Sequence, residues 1–203
     1  MAEITSIEPQ VKDKNRCNVY IDGAFYCGIK LEVAIKYHLK AGMHIEKAQL
    51  DEIQLETEKS QAVDKAMTHL SATMKTEQQM RDFLKGKGYT EVVCDYVIER
   101  LQYYKFIDDY AYCTAYINSV HGKGRRAIES DLIKRKADRD AIRKALDEFE
   151  ESDDDACELL QKYMRGKEIN KVNLLKGYKY LLSKGFSYDT AQSAMEKFDV
   201  EDY

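Results

Sequence analysis

A repeated pattern of a leucine followed by a helix-ending corner constrains the fold of this 203-residue chain more than any other feature. Leu84, Leu132 and Leu181 each stand four residues before a corner position. The three corners are Gly88, Lys136 and Gly185, and the residues two positions further on are Thr90, Asp138 and Ser187. The leucines are separated by 48 and then 49 residues, so the pattern indicates three consecutive units of nearly equal length.

Each corner is typical of one helix ending and a second helix beginning. A glycine in the left-handed conformation ends a helix, and Ser, Thr or Asp two residues later accepts a free N–H group at the start of the next. After each corner, apolar residues recur four apart and therefore share one helix face. The matched pairs are Cys94 and Ile98, Ile142 and Leu146, and Ala191 and Met195. A further helix is predicted at the start of each unit, over about residues 62–70, 110–120 and 156–164.

Units of fewer than 50 residues can scarcely cover their own apolar faces, so neighbouring units must stack. We therefore predict a mainly α fold of tandem three-helix repeats that form an elongated curved array. A single proline and ten glycines in the whole chain agree with long helices. The predicted repeats span residues 59–105, 106–151 and 152–203.

The first part of the chain differs from the repeats and predicts β-strands. Residues 18–21 and 25–27 flank Asp22-Gly23, a pair that favours a type I′ hairpin turn because both positions take positive φ. Ile4 and Ile7 indicate a third strand. An isolated hairpin is only marginally stable, so it must pack on the following helix, predicted over residues 31–39 and ending at Gly42. We assign residues 1–58 to an N-terminal appendage of strands and a helix.

The composition argues against a membrane protein and against a disulfide framework. No stretch approaches the roughly 20 apolar residues that span a bilayer, and Glu3 and Glu8 stand where a secretory signal would be basic. The five cysteines are an odd number without a C-x-x-C pair, so we expect reduced thiols and no zinc site. We expect a cytosolic monomer that needs no metal or cofactor.

The charges are arranged in blocks along the second and third repeats. The formal net charge of −4 argues against nucleic-acid binding over the whole surface. Residues 121–144 are rich in Lys and Arg, the acidic connector over residues 147–158 has no basic residue, and basic residues return from Lys162 onward. This alternation predicts local basic zones separated by an acidic segment that avoids DNA.

The basic zones supply the candidate contacts to an acidic protein surface or to DNA phosphates. These candidates are Lys123, Gly124, Arg125, Arg126, Lys134, Arg135, Lys136, Arg139, Lys162, Arg165 and Lys167. A run of charges is more often a solvated helix face than a binding site. The loop over residues 122–126 is a better candidate, because a glycine-flanked basic loop at a helix start exposes N–H groups to an anion. It lacks the spacing of a P-loop.

The other polar and aromatic groups have simpler explanations. Asp108 and Asp109 directly precede a helix, so helix capping is a better interpretation than acid–base or metal chemistry. The tyrosines and Phe106 in the region of residues 103–116 fit core packing, although an exposed tyrosine there could stack on a nucleic-acid base. The four histidines are scattered and no nucleophile motif is present, so we expect no catalysis.

Several of these motifs together resemble the RecX family of recombinase regulators. The similar segments are Phe106-Ile107-Asp108-Asp109-Tyr110-Ala111, Tyr116, Gly122-Lys123-Gly124-Arg125-Arg126-Ala127-Ile128 and Leu132, with Leu84, Lys87-Gly88-Tyr89, Leu181 and Lys184-Gly185-Phe186 in the flanking units. The resemblance covers residues 60–198, and the N-terminal strands are similar to an extension that some members carry. Each motif is weak alone, but their order and spacing are fairly specific.

The resemblance implies a non-enzymatic protein that binds the RecA recombinase and its filament on single-stranded DNA. In that role it would mainly inhibit ATP hydrolysis, filament growth and strand exchange, in recombination, DNA repair and the SOS response. Weak contact with single-stranded or duplex DNA would accompany this binding. Two alternatives remain open at this stage: a nucleic-acid-binding repeat protein that needs no protein partner, and a helical-repeat adaptor for an unrelated partner.

Overall fold

The computed structural model describes residues 2–11 and 13–201, and these ranges contain four β-strands and ten α-helices. The strands are β1 (Ala2–Pro9), β2 (Arg16–Ile21), β3 (Ala24–Lys30) and β4 (His44–Ile45). The helices are α1 (Leu31–Lys36), α2 (Lys47–Leu70), α3 (Glu77–Gly86), α4 (Glu91–Tyr103), α5 (Asp109–Ser119), α6 (Arg125–Lys134), α7 (Arg139–Asp147), α8 (Asp153–Met164), α9 (Lys171–Ser183) and α10 (Tyr188–Glu201).

The strands form one antiparallel sheet in the order β3-β2-β1-β4. Asp22 and Gly23 join β2 to β3 with φ angles of 49° and 82°, as the predicted hairpin turn requires. The Asp22 carboxylate also accepts the N–H of Glu3 at 2.9 Å, which ties the turn to β1. The predicted hairpin and third strand are confirmed. The two-residue β4, which pairs with Ala2 and Glu3, was not predicted.

Helix α2 packs on the sheet and is longer than the sequence indicates. The prediction began near residue 62, whereas the helix begins at Lys47. Its first half buries Ile53 in the same core as Ile4 and Ile29, and the hydroxyl of Tyr26 donates to the Leu50 carbonyl at 3.3 Å. The helix therefore runs without interruption through residues 58 and 59, where the appendage was predicted to end.

The three predicted corners are present. Gly88, Lys136 and Gly185 have φ angles of 87°, 60° and 87°, so the lysine takes the same left-handed conformation as the two glycines. The three leucines four residues earlier are completely buried. Asp138 accepts the N–H groups of Asp140 and Ala141, and Ser187 accepts that of Thr190, as helix-capping residues do. The predicted capping bond of Thr90 is wrong, because its side chain makes no capping hydrogen bond at the start of α4. The predicted fold class, mainly α with tandem helix triplets and an N-terminal strand unit, is confirmed.

The chain divides into two compact units. One comprises Met1–Thr73 and Met80–Phe106, and the other comprises Met74–Gln79 and Ile107–Tyr203. The second unit contains one core under α5, α6 and α7 around Ile128 and Leu132, and another under α8, α9 and α10 around Leu160 and Phe186. In both triplets the first and third helices pack against each other.

The cysteines and the hydropathy of the helices agree with the composition. All five cysteines are free, and Cys17, Cys94 and Cys113 are buried. Burial raises the pKa of the Cys113 thiol to about 11, and carboxylates nearby add to this, so the thiol stays protonated. Over the described residues, no helix combines the length and the apolar character needed to cross a bilayer.

Replacement of Lys136 by glycine tests the middle corner. We expect Lys136→Gly to raise the free energy of unfolding by ~0.5–1 kcal/mol, because glycine adopts positive φ without a Cβ penalty. Urea denaturation measures the change. Gly88→Ala is the inverse control, since its Cβ would meet no atom within 4 Å at a φ of +87°; it should lose about as much. A Lys136→Gly variant less stable than the parent chain would contradict the assignment.

Candidate partner-binding surface

Three of the candidate cations gather on one side of α6 around a single carboxylate. The Lys123 ammonium binds the Asp131 carboxylate at 2.5 Å, and Lys134 lies 3.8 Å from its other oxygen. The Tyr116 hydroxyl donates to Asp131 at 2.9 Å, and the Arg135 guanidinium lies 4.6 Å from the centre of the Tyr116 ring. We call these five residues the basic cluster. Three cations face one carboxylate, so the cluster retains positive charge.

Hydrogen bonds favour the charged forms of Lys123, Asp131 and Arg135. The Lys123 and Tyr116 hydrogen bonds lower the pKa of the Asp131 carboxyl, and the same contact with Asp131 raises the pKa of Lys123. A hydrogen bond to the Tyr112 hydroxyl raises the pKa of Arg135. Lys123, Asp131 and Arg135 therefore keep their charges near neutral pH. The side chain of Lys134 is exposed to solvent.

The loop over residues 122–126 does not present its backbone to an external anion. The N–H of Gly122 donates to Asp155, that of Gly124 to the Lys184 carbonyl and that of Arg126 to the Gly185 carbonyl, at 3.0 to 3.1 Å. The anion-binding interpretation of this loop is therefore wrong for the backbone, because the protein itself occupies these donors. Gly124 is buried, and a Cβ on it would overlap the backbone of Gly185 and Phe186.

The carboxylate of Glu151 joins the start of α6 to the start of α10. One oxygen accepts the N–H of Arg125 at 2.8 Å, and the other accepts the N–H of Ser187 at 2.9 Å. The first N–H groups of a helix have no partner within the helix, so a carboxylate from another segment satisfies two of them at once. The Arg125 guanidinium adds bonds to the Leu146 carbonyl at 2.6 Å and to Asp147 at 3.1 Å.

Asp109 makes an equivalent contact one helix triplet earlier in the chain. Its two oxygens accept the N–H of Glu77, at the start of α3, at 2.8 Å and the N–H of Asp138, before α7, at 2.7 Å. The two corners are contacted in the same way. The Thr76 hydroxyl donates to the Arg135 carbonyl, just before Lys136, and the Gly124 N–H donates to the Lys184 carbonyl, just before Gly185. We call Asp109 and Glu151 the carboxylate bridges. The capping of α5 predicted for Asp108 and Asp109 is confirmed for Asp108, which accepts the Ala111 N–H. Asp109 is the first residue of α5 and instead accepts N–H groups from other segments.

The two carboxylate bridges have opposite pKa shifts. Burial would raise the pKa of the Glu151 carboxyl, but the N–H groups of Ser187 and Arg125 and the hydroxyls of Thr190 and Ser187 together hold it below its ordinary value. Burial does raise the pKa of the Asp109 carboxyl, because two N–H donors do not offset it and the nearby Glu77 and Asp138 carboxylates add to the rise. Glu151 is therefore the bridge whose charge stabilises the fold.

The remaining candidates are exposed or have other partners. Arg126 is exposed with its guanidinium 5.4 Å from the centre of the Tyr188 ring. Lys136 and Arg139 are exposed at the middle corner and at the first position of α7. At the end of α8, Lys162 pairs with Glu158 at 3.3 Å, and Lys167 lies over the Tyr163 ring. Arg165 is exposed there.

The acidic connector is largely occupied by contacts inside the protein. Besides Glu151 and Asp155, Glu148 accepts the Tyr110 hydroxyl at 2.7 Å, and Asp153 accepts the Ser193 hydroxyl and the Lys197 ammonium. Sequence reasoning did not find these roles, because nothing in a run of similar carboxylates identifies which of them meets a helix start. Among the described residues, no group of His, Cys, Asp and Glu could hold a metal ion.

The fold and these contacts define a class of protein: helical-repeat proteins with an N-terminal strand unit and surface cations on the repeats. Residues 2–46 match the family description "Regulatory protein RecX N-terminal domain", and residues 62–101 match "RecX, first three-helix domain". The chain is 31% identical over 210 residues to the regulatory protein RecX of Clostridium perfringens (strain SM101 / Type A), covering 100% of this chain and 99% of that protein. The chain belongs to the RecX family of regulatory proteins.

Other relatives and solved structures agree with this membership. The RecX protein of Bacillus subtilis (strain 168) is 29% identical over 208 residues, which cover 99% of this chain and 79% of that protein. A crystal structure titled as regulatory protein RecX superposes with a TM-score of 0.79 at 26% identity, covering 97% of this chain and all of that one. RecX from Lactobacillus salivarius shares the fold, with a TM-score of 0.66 at 23% identity over 70% of this chain and 97% of that one. The resemblance noted from the sequence is confirmed, and the chain has a regulatory role.

The close approach of α6 to the Gly185 corner can be tested with two alanine substitutions. Gly88 and Gly185 both have φ of +87°, but only at Gly185 would a Cβ collide, with the backbone N and Cβ of Ala127. We expect Gly88→Ala to lower the free energy of unfolding by ~1 kcal/mol through backbone strain alone, and Gly185→Ala to lose at least ~2 kcal/mol more through overpacking. Equal losses in chemical denaturation would contradict this packing.

Replacement of Glu151 by glutamine tests the carboxylate bridge through the pH dependence of stability. The amide can accept only one of the two N–H groups well, so Glu151→Gln should cost ~1–3 kcal/mol at neutral pH. Because the folded-state pKa of Glu151 lies below its unfolded value, the cost is full above the unfolded-state pKa and disappears as pH falls through the folded-state pKa.

Glu150→Gln provides the matched control, since Glu150 is the exposed neighbour of Glu151. It should change the free energy of unfolding by less than ~0.5 kcal/mol at every pH. Denaturant titrations of both variants across the acidic range measure the difference. A cost for Glu151→Gln that is the same at low and neutral pH would show that the lost interaction does not depend on the carboxylate charge.

Proposed function

We propose that this protein binds the RecA recombinase on its nucleoprotein filament and inhibits ATP hydrolysis, filament growth and strand exchange. Its relatives over the full chain are named regulatory protein RecX, and this family membership supports the proposal. It acts by binding, without catalysis of its own. The proposed contact is the basic cluster together with Arg139, on the second helix triplet.

The observation that carries the assignment of this surface is the imbalance of charge in the basic cluster. Among the residues that the structure describes, Asp131 is the carboxylate that pairs with Lys123 and Lys134, and Lys134 is 74% exposed in its side chain. Arg139 is also exposed, on the far side of the corner. Clustered cations of this kind increase the association rate with an acidic protein surface or with DNA phosphates, both of which a recombinase filament offers.

Arg125 is a poor choice for a test of function. Its guanidinium binds the last turn of α7 and Asp147, so charge reversal there would disturb the packing of the fold as well as any partner contact. The same objection does not apply to Lys134, whose side chain is mostly solvent-exposed, or to Arg139. At the first position of α7 a carboxylate is favourable to the helix, so Arg139→Glu preserves the fold.

We expect the double variant Lys134→Glu, Arg139→Glu to require about tenfold more protein for half-maximal inhibition of recombinase ATPase on single-stranded DNA. Lys14→Glu, Lys40→Glu is the matched control, because it changes the net charge equally at two exposed positions of the N-terminal unit. The control should inhibit like the parent chain. Equal inhibition by all three proteins would contradict the proposed surface. Loss of inhibition in the control as well would indicate a general charge effect.

A further inference from the structure

An exposed aromatic cluster lies where α4 ends, and the packing of the protein does not account for it. Tyr103, Tyr104 and Phe106 are 80%, 54% and 51% exposed, whereas Leu101 and Ile107 on either side are buried. Exposed large apolar side chains that lie together mark binding surfaces more often than isolated ones do. We call these three rings the aromatic cluster.

The backbone after α4 fixes the three rings in place. Lys105 has a φ of 60°, and the N–H of Phe106 donates to the Leu101 carbonyl at 2.8 Å, which ends the helix in a tight turn. The Tyr103 and Tyr104 rings meet edge to face with centroids 5.1 Å apart, and the Tyr104 and Phe106 centroids are 6.4 Å apart. The rings therefore support one another without being covered.

Two cations accompany the aromatic cluster. The Arg100 guanidinium lies 5.5 Å from the centre of the Tyr104 ring, and Lys105 is exposed between the aromatic residues. Among the residues that the structure describes, neither cation forms an ion pair with a carboxylate. Exposed rings next to unpaired cations match the chemistry of a single nucleic-acid strand, which offers flat bases and phosphates at alternating positions.

We propose that the aromatic cluster is a stacking site for the bases of single-stranded nucleic acid, with Arg100 and Lys105 binding the adjacent phosphates. The geometry favours a single strand over a duplex, because paired bases in a duplex leave no face on which Tyr103 or Tyr104 could stack. The site shares no residue with the basic cluster. The inference does not rest on the recombinase proposal, since the strand binds without any protein partner.

The test uses the full chain, no recombinase and two fluorescent oligonucleotides of the same length, oligo-dT and an abasic strand with the same phosphates. Anisotropy titrations at fixed salt should show tighter binding of oligo-dT by the parent chain. Tyr103→Ala, Tyr104→Ala should weaken binding of oligo-dT by about tenfold or more and leave binding of the abasic strand nearly unchanged. Tyr103→Phe, Tyr104→Phe keeps both rings and should bind like the parent chain.

Phe25→Ala is the matched control. Phe25 is 60% exposed and meets Tyr20 edge to face, but it lies in the N-terminal sheet. The proposal is overturned if the parent chain binds both oligonucleotides equally, if the tyrosine-to-alanine variant binds oligo-dT unchanged while folded by circular dichroism, or if Phe25→Ala is equally impaired. A variant that changes only self-association in sedimentation would instead assign the rings to contact between copies, and would also overturn it.

Discussion

The arrangement of the second unit depends on how the unpaired N–H groups at its helix starts are satisfied. Buried backbone donors without partners are costly, and each helix start has several. Glu151 supplies one oxygen to each of two helix starts, and Asp109 does the same for another pair. The Glu151 bridge fixes the separation of α6 and α10, which belong to different triplets of the second unit. The close approach of Gly124 to Gly185 is compatible with this separation because neither residue has a Cβ.

Because these carboxylates bond within the fold, part of the charge pattern in the sequence serves folding. The acidic connector and the loop over residues 122–126 carry opposite charges and bond to each other. Asp155 accepts the Gly122 N–H, Glu151 accepts the Arg125 N–H, and Asp147 binds the Arg125 guanidinium. Backbone N–H groups that donate within the fold are not available to a partner. The backbone N–H groups of Gly122, Gly124 and Arg126 are therefore not open to an external anion, whereas the side chains of Lys134 and Arg139 are exposed.

The features that the sequence predicted well are those determined by neighbouring residues. A corner needs a left-handed residue, a cap two residues later and a buried leucine four residues before, and all of these lie within one short segment. The same is true of the Asp22-Gly23 turn. The middle corner could be inferred despite Lys136, because Leu132 and Asp138 carry the rest of the pattern.

The features that the sequence did not predict depend on distant residues. Glu151 binds groups 26 and 36 positions away, and no local signal separates it from the exposed Glu150. The first half of α2 is helical in the structure because Ile53 packs on a sheet formed by residues far from it in the chain. Strand β4 has only two residues and exists through its pairing with β1. The basic cluster likewise requires α5 and α6 to be packed together before Tyr116 reaches Asp131.

The acidic connector and the segment at the end of α4 differ in whether contacts within the protein account for their residues. The acidic connector spans the end of α7 and the start of α8. Hydrogen bonds of Glu148, Glu151 and Asp155 within the protein explain why carboxylates stand there. The segment after α4 turns in a similar way, but its rings at Tyr103 and Phe106 are exposed and bury little area. A turn that served only to connect helices would be expected to carry polar residues at such positions. The contacts within the protein do not account for aromatic residues there, and this is the observation on which the proposed base-stacking site rests.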